Sequence, residues 1–108
     1  SEVRNDGNRF ENLVGQHLLK ACHYWTDGGY GLFELRYLRD ISGNEIDFLV
    51  IKDKKPWLPV EVKLSQRTPS PHWRKFLPQI PCKFGVQVVL EPNDFGRVHE
   101  EANKRVVV

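Results

Sequence analysis

The stretch from Asn44 to Lys63, NEIDFLVIKDKKPWLPVEVK, carries the pattern on which the fold of this chain turns. Two short apolar runs, Ile46 to Ile51 and Trp57 to Val62, flank the polar segment Lys52-Asp53-Lys54-Lys55-Pro56, which is the signature of a β-hairpin. Each run holds an acid where a strand favours none: Asp47 between Ile46 and Phe48, Glu61 between Val60 and Val62. A conflict between local preference and chemistry marks a place to look for a site.

Strand parity relates the two acids. If Ile51 faces Trp57 across a five-residue loop, regular antiparallel pairing sets Asp47 directly across from Glu61, with Cβ atoms about 4.5–5.5 Å apart. Two like charges so placed call for neutralisation, and a hard cation such as Mg²⁺ takes carboxylate oxygens. Lys63, two residues past Glu61, joins the same face because side chains alternate. A register slip of one residue would separate the acids. A cross-strand ion cluster on a solvent-facing sheet, at about 0.2–1 kcal/mol per pair, is the plainer account of the same three side chains.

Upstream, Phe10, Leu13, Val14, Leu18, Ala21, Cys22 and Trp25 recur at helical spacing and predict a helix from Asn8 to Trp25, ended by Thr26-Asp27-Gly28-Gly29. Glu11 has two readings. It projects at the edge of the apolar stripe and so faces the sheet, or it closes a capping box with Asn8. Leu32 to Arg39 reads as a first strand, with a turn at Ile41-Ser42-Gly43-Asn44, so three strands form an antiparallel meander. After a polar loop from Leu64 to Pro69, Ser70-Pro71 opens a short helix that finishes near Pro78 to Pro81. Phe84 to Leu90 reads as a buried strand and Lys104 to Val108 as one more. The order helix, three strands, helix, strand predicts one mixed α/β domain with helices packed on a sheet.

Composition sets the outer bounds. A chain of 108 residues, 40% hydrophobic and 28% charged, is one ordinary globular domain. No apolar run approaches the about 18 residues of a membrane span, and no signal-peptide pattern opens the chain, so a cytoplasmic setting is the expectation. The net charge of +2 permits nucleic-acid binding without arguing for it. Cys22 and Cys82 lack metal-ligand spacing and read as buried free thiols. His17, His23, His72 and His99 likewise read as ordinary surface or core residues. Trp25 and Trp57 read as core. Trp73, beside Arg67, Arg74 and Lys75, is the better candidate to meet a nucleic acid, although a solvated helix face accounts for that group equally. The chain has no methionine and stops on Val106-Val107-Val108, as a piece of a longer protein would.

Glu11 on the first helix, Asp47 in EIDFLV and the tripeptide Glu61-Val62-Lys63 together resemble the PD-(D/E)xK nuclease superfamily. The segments NRFENLVGQHLLK, LRYLRDISGNEIDFLV and LPVEVKLS look more closely like the nuclease-like C-terminal domain that follows the ATPase core in a family of prokaryotic AAA+ ATPases. Glu45-Ile46 stands where the superfamily name has a proline. The resemblance runs from about Asn8 to Leu90 and implies a restriction-endonuclease-like αβββαβ core, a mixed sheet with flanking helices, in a single domain of residues 1–108. It implies a Mg²⁺ or Mn²⁺ site held by Asp47 and Glu61 with the Val62 carbonyl, Lys63 orienting the attacking water, and Glu11 holding a coordinated water or a second ion. It further implies hydrolysis of phosphodiester bonds in DNA beside an N-terminal ATPase domain. The alternative is a catalytically inactive module of the same fold that binds DNA or a partner and regulates the ATPase.

Overall fold

The computed structural model describes residues 2–38, 46–66, 68–91 and 96–108. The expected turn at Ile41 to Asn44, the strand end at Arg39 and the candidate contact Arg67 lie outside the described residues.

Helix α1 spans Glu2–Asp27, starting well before Asn8. Asn8 carries a start signal, yet local propensity is a weak prior against tertiary contact. A Cβ at Gly7 would lie 3.9 Å from Leu64, so the first turns of α1 run beside the loop that follows the third strand. Phe10, Val14, Leu18, Cys22 and Trp25 pack on the sheet as their spacing predicts, while Leu13 is exposed. At Gly15 helix and sheet come close, since a Cβ there would sit 3.0 Å from the ring of Phe48.

The sheet comprises β1 (Phe33–Tyr37), β2 (Phe48–Lys52), β3 (Lys55–Lys63), β4 (Phe84–Val89), β5 (Val98–Glu101) and β6 (Lys104–Val107), in the order β1-β2-β3-β4-β6-β5. The antiparallel meander β1-β2-β3 is as expected. The crossover then runs through α2 (Pro71–Phe76) and a 3₁₀ turn (Leu77–Gln79), and β4 pairs parallel to β3, giving a mixed sheet with flanking helices. The β5–β6 hairpin, of which only the second strand is legible in the sequence, completes the far edge.

The β2–β3 hairpin differs from the expected one. Lys52 pairs with Lys55 across the two-residue turn Asp53-Lys54, whose φ angles of 50° and 70° are those a tight hairpin turn demands. Ile51 faces Pro56 rather than Trp57, and Val50 faces Leu58, leaving Trp57 as the extra residue of a bulge. The bulge restores the expected register beyond it, so Phe48 faces Val60.

The two helices occupy opposite faces. Along β4, Val86 and Val88 join Val14, Phe48 and Val60 under α1, while Gly85 lies against the ring of Trp73 in α2. Trp73, Leu77, Ile46, Val106 and Val108 form the core on the α2 side. Lys104 from β6 donates to the Leu77 and Ile80 carbonyls at 2.6 Å each, satisfying acceptors that the end of a helical segment leaves open.

Candidate functional site

The site forms where β3 outruns β2. Pairing with β2 ends at Val60, whereas pairing with β4 continues from Val60 to Lys63. Asp47 lies one residue before β2 and bridges the gap: its main-chain oxygen accepts from Leu38 N–H at 2.9 Å, and its Oδ2 accepts from Val62 N–H at 2.7 Å. The carboxylate thus takes the place of a ladder partner. An acid in an apolar segment follows from that geometry, because a buried amide left unpaired is costly.

Burial is the largest influence on the Asp47 carboxyl and pushes it up to about 6. The Val62 N–H pulls it down, the charges of Glu11 and Glu61 push it further up, and Lys63 pulls it down. Those influences place all four predicted polar residues in one electrostatic neighbourhood. Glu11 is half-buried on α1, and Asn8 is an exposed residue inside the helix, so the capping-box reading of Glu11 is overturned. Alternate peptide groups of a strand point opposite ways. Since the Lys63 carbonyl accepts from Leu90 on the β4 side, the Val62 carbonyl points to the Asp47 side.

Glu61 is 1% exposed and surrounded by donors. The Ser70 hydroxyl donates to Oε2, while Oε1 lies 2.7 Å from His72 Nδ1 and 3.2 Å from Lys63 Nζ. With a carboxylate as partner, His72 Nδ1 carries the proton and donates. Ser70 does stand at the N-cap of α2 with Pro71 behind it, but it makes no side-chain cap because its hydroxyl serves Glu61.

His72 therefore belongs to the site, against the reading of it as an ordinary residue. Gln87 was missed altogether. It is 2% exposed; its Oε1 accepts from Ser70 N–H at 3.0 Å and Trp73 Nε1 at 2.9 Å, and its Nε2 donates to the Gln66 and Thr68 carbonyls at 3.0 and 2.8 Å. Three of these bonds hold the loop before α2 and the fourth holds α2 itself, and together they present Ser70 and His72 to Glu61. A glutamine inside the run Phe84 to Leu90 carries the same signal that singles out Asp47 and Glu61.

The expected nucleic-acid group is corrected in part. Trp73 is fully buried, its ring against Gly85 and its Nε1 spent on Gln87, so no base can stack on it. Arg74 and Lys75 are exposed, with Arg74 3.5 Å from Glu101. Trp57 is not core either; it stays 40% exposed at the other end of the hairpin.

Among the described residues, no group of three or more His, Cys, Asp or Glu side chains is gathered to hold a metal ion, and no helix is long and apolar enough to cross a membrane. The architecture is that of an α/β domain in which Asp47 and Glu61 sit where the central strand changes from an antiparallel to a parallel neighbour. Over residues 6–107 the chain matches the family described as "Domain of unknown function (DUF4143)", and it belongs to that family. Comparison with curated proteins and with solved structures gave no match.

Proposed function

We propose that this domain is a divalent-cation-dependent phosphodiester hydrolase of the PD-(D/E)xK type, acting on DNA next to an AAA+ ATPase. The observation that carries this reading is Asp47: a carboxyl that accepts from the Val62 N–H at 2.7 Å and is pushed up to about 6 by burial and by the charges of Glu11 and Glu61, with the Val62 N–H and Lys63 acting against them. Such a cluster is relieved by added positive charge. The donor chemistry fits a hard cation, since Asp47, Glu61 and the Val62 carbonyl offer oxygen alone. These three groups would hold it, with Glu11 behind them. When bound, the cation supplies Lewis acidity, making water a stronger nucleophile and offsetting charge on the phosphate.

The protein's own groups have distinct parts. Ser70 and His72 fix the Glu61 carboxylate in one orientation. Lys63, whose side chain is 29% exposed, carries its ammonium at the rim where a phosphate would arrive. Glu11 adds negative charge from the α1 side, which favours any cation that Asp47 binds.

A second reading, a binding or regulatory module without turnover, is favoured by one observation. Both Glu61 oxygens already have protein donors, so the carboxylate is satisfied as it stands. Plasmid DNA incubated with Mn²⁺ and the full-length ATPase separates the two. Cleavage by the parent that Asp47→Asn and Lys63→Ala each abolish supports the hydrolase. Retention of DNA in a gel shift, with no cleavage by parent or variants, supports the module.

A further inference from the structure

At the turn end of the β2–β3 hairpin, away from Glu61, Tyr24, Trp25, Tyr30, Phe33 and Trp57 line a solvent-open cavity of about 290 Å³. We propose that this aromatic basin binds an unpaired base of a single-stranded nucleic acid, with the lysines of the hairpin turn taking the adjoining phosphates.

The basin is built by specific local devices. Gly29, at φ 84°, reverses the chain after α1, and Tyr30 N–H returns to the Trp25 carbonyl at 3.0 Å, which sets Tyr30 back beside Trp25. Thr26 Oγ1 accepts from Phe33 N–H at 2.9 Å and anchors the start of β1 under the same helix end. The bulge then turns Trp57 to the α1 face, where regular alternation from Leu58 would have pointed it to the other. The rings fix one another: Trp25 and Phe33 centroids are 5.2 Å apart, Phe33 and Trp57 5.4 Å and nearly perpendicular. Yet Tyr24, Tyr30 and Trp57 remain 73, 68 and 40% exposed, more aromatic surface in one place than packing alone accounts for.

Charge selects the ligand. Lys52 Nζ stands 5.6 Å from the Phe33 centroid and 5.9 Å from that of Trp57, so a cation already lies over one face of each ring and a cationic ligand is disfavoured. Lys54 and Lys55 flank it across the turn, and the Asp53 carboxylate is directed to Leu32 N–H at 2.9 Å. Among the described residues, Lys54 is the one of the three lysines that forms an ion pair, 3.7 Å from Glu34. A ligand with a flat π face and an adjoining negative charge meets these conditions, and a nucleotide of a single strand has both. The cavity lies at the lower end of small-ligand pocket sizes, suited to one planar ring system rather than to a helix face.

This inference shares with the proposed hydrolase only the class of ligand, and its test is run in EDTA so that the acid cluster takes no part. Dye-labelled oligothymidylate is titrated with the protein and followed by fluorescence anisotropy. The parent is expected to bind saturably. Tyr30→Ala and Trp57→Ala should each weaken binding about 5- to 100-fold, the effect of losing a stacked base, and a duplex of equal length should compete poorly. Absence of binding by the parent, unchanged affinity in both aromatic variants, or equal competition by the duplex would overturn the proposal. Loss of cation binding or cleavage elsewhere would leave it standing.

Discussion

His72 Nδ1 lies 2.7 Å from Oε1 of Glu61, a carboxylate 1% exposed to solvent. The ring is one of three donors that make that burial tolerable, and a buried charge deprived of a donor is destabilising. His72→Ala is expected to lower stability by about 1.5–3 kcal/mol. His72→Asn, whose amide reaches the Nδ1 position, should recover part of the loss. Denaturant unfolding of the three proteins at one pH measures both.

The Asp47 carboxyl, raised from 3.8 to about 6, makes stability depend on pH in a stated direction. Between those values the folded chain holds a proton that the unfolded chain releases, so this group's contribution falls as pH rises and is fully lost above about 6. Asp47→Asn keeps an acceptor for the Val62 amide and removes the charge. Without divalent ions, the variant should be more stable than the parent at pH 7.5, with the difference shrinking towards pH 4.

Gly85 gives Trp73 its place, since a Cβ there would fall within the envelope of the indole ring. Gly85→Ala should therefore cost about 1–3 kcal/mol through overpacking. Near-ultraviolet circular dichroism should show a disturbed tryptophan environment in the same variant.

Gln87→Leu keeps the volume and removes four hydrogen bonds around Ser70, Trp73, Gln66 and Thr68. Unpaired buried groups cost about 1–3 kcal/mol each, so the variant should lose several times the stability that a surface change would. Amide exchange should quicken at Ser70, and unchanged protection there would contradict the role assigned to Gln87.

The sequence carried the α1 stripe and the alternation of β2 and β3 because burial on one face enforces a period. The register at Phe48 and Val60 came out as expected although the turn did not. Pro56 read as loop, since proline gives no ladder bond, but among the described residues this half of β3 pairs with β2 and with no strand on its other side. The bulge at Trp57 then made good the difference. Asp47, Glu61, Lys63 and Glu11 were legible as acids and a lysine in apolar settings. His72 and Ser70 were not, because their partner is a side chain nine or more residues away that only the crossover through α2 brings near. Trp73 misled because basic neighbours in sequence say nothing of which way a ring faces; the gap at Gly85 decides it. β5 escaped because Val98-His99-Glu100-Glu101 lacks an apolar period, as an outer-edge strand can.

Cation binding by Asp47 and Glu61, as proposed, is tested most directly by calorimetric titration of Mn²⁺ and Mg²⁺ into this 108-residue chain and its Asp47→Asn variant. Saturable binding to the parent at pH 7.5, weakened as pH falls through about 6 and lost in the variant, is the predicted result. No heat with either protein, or equal binding by both, would contradict it.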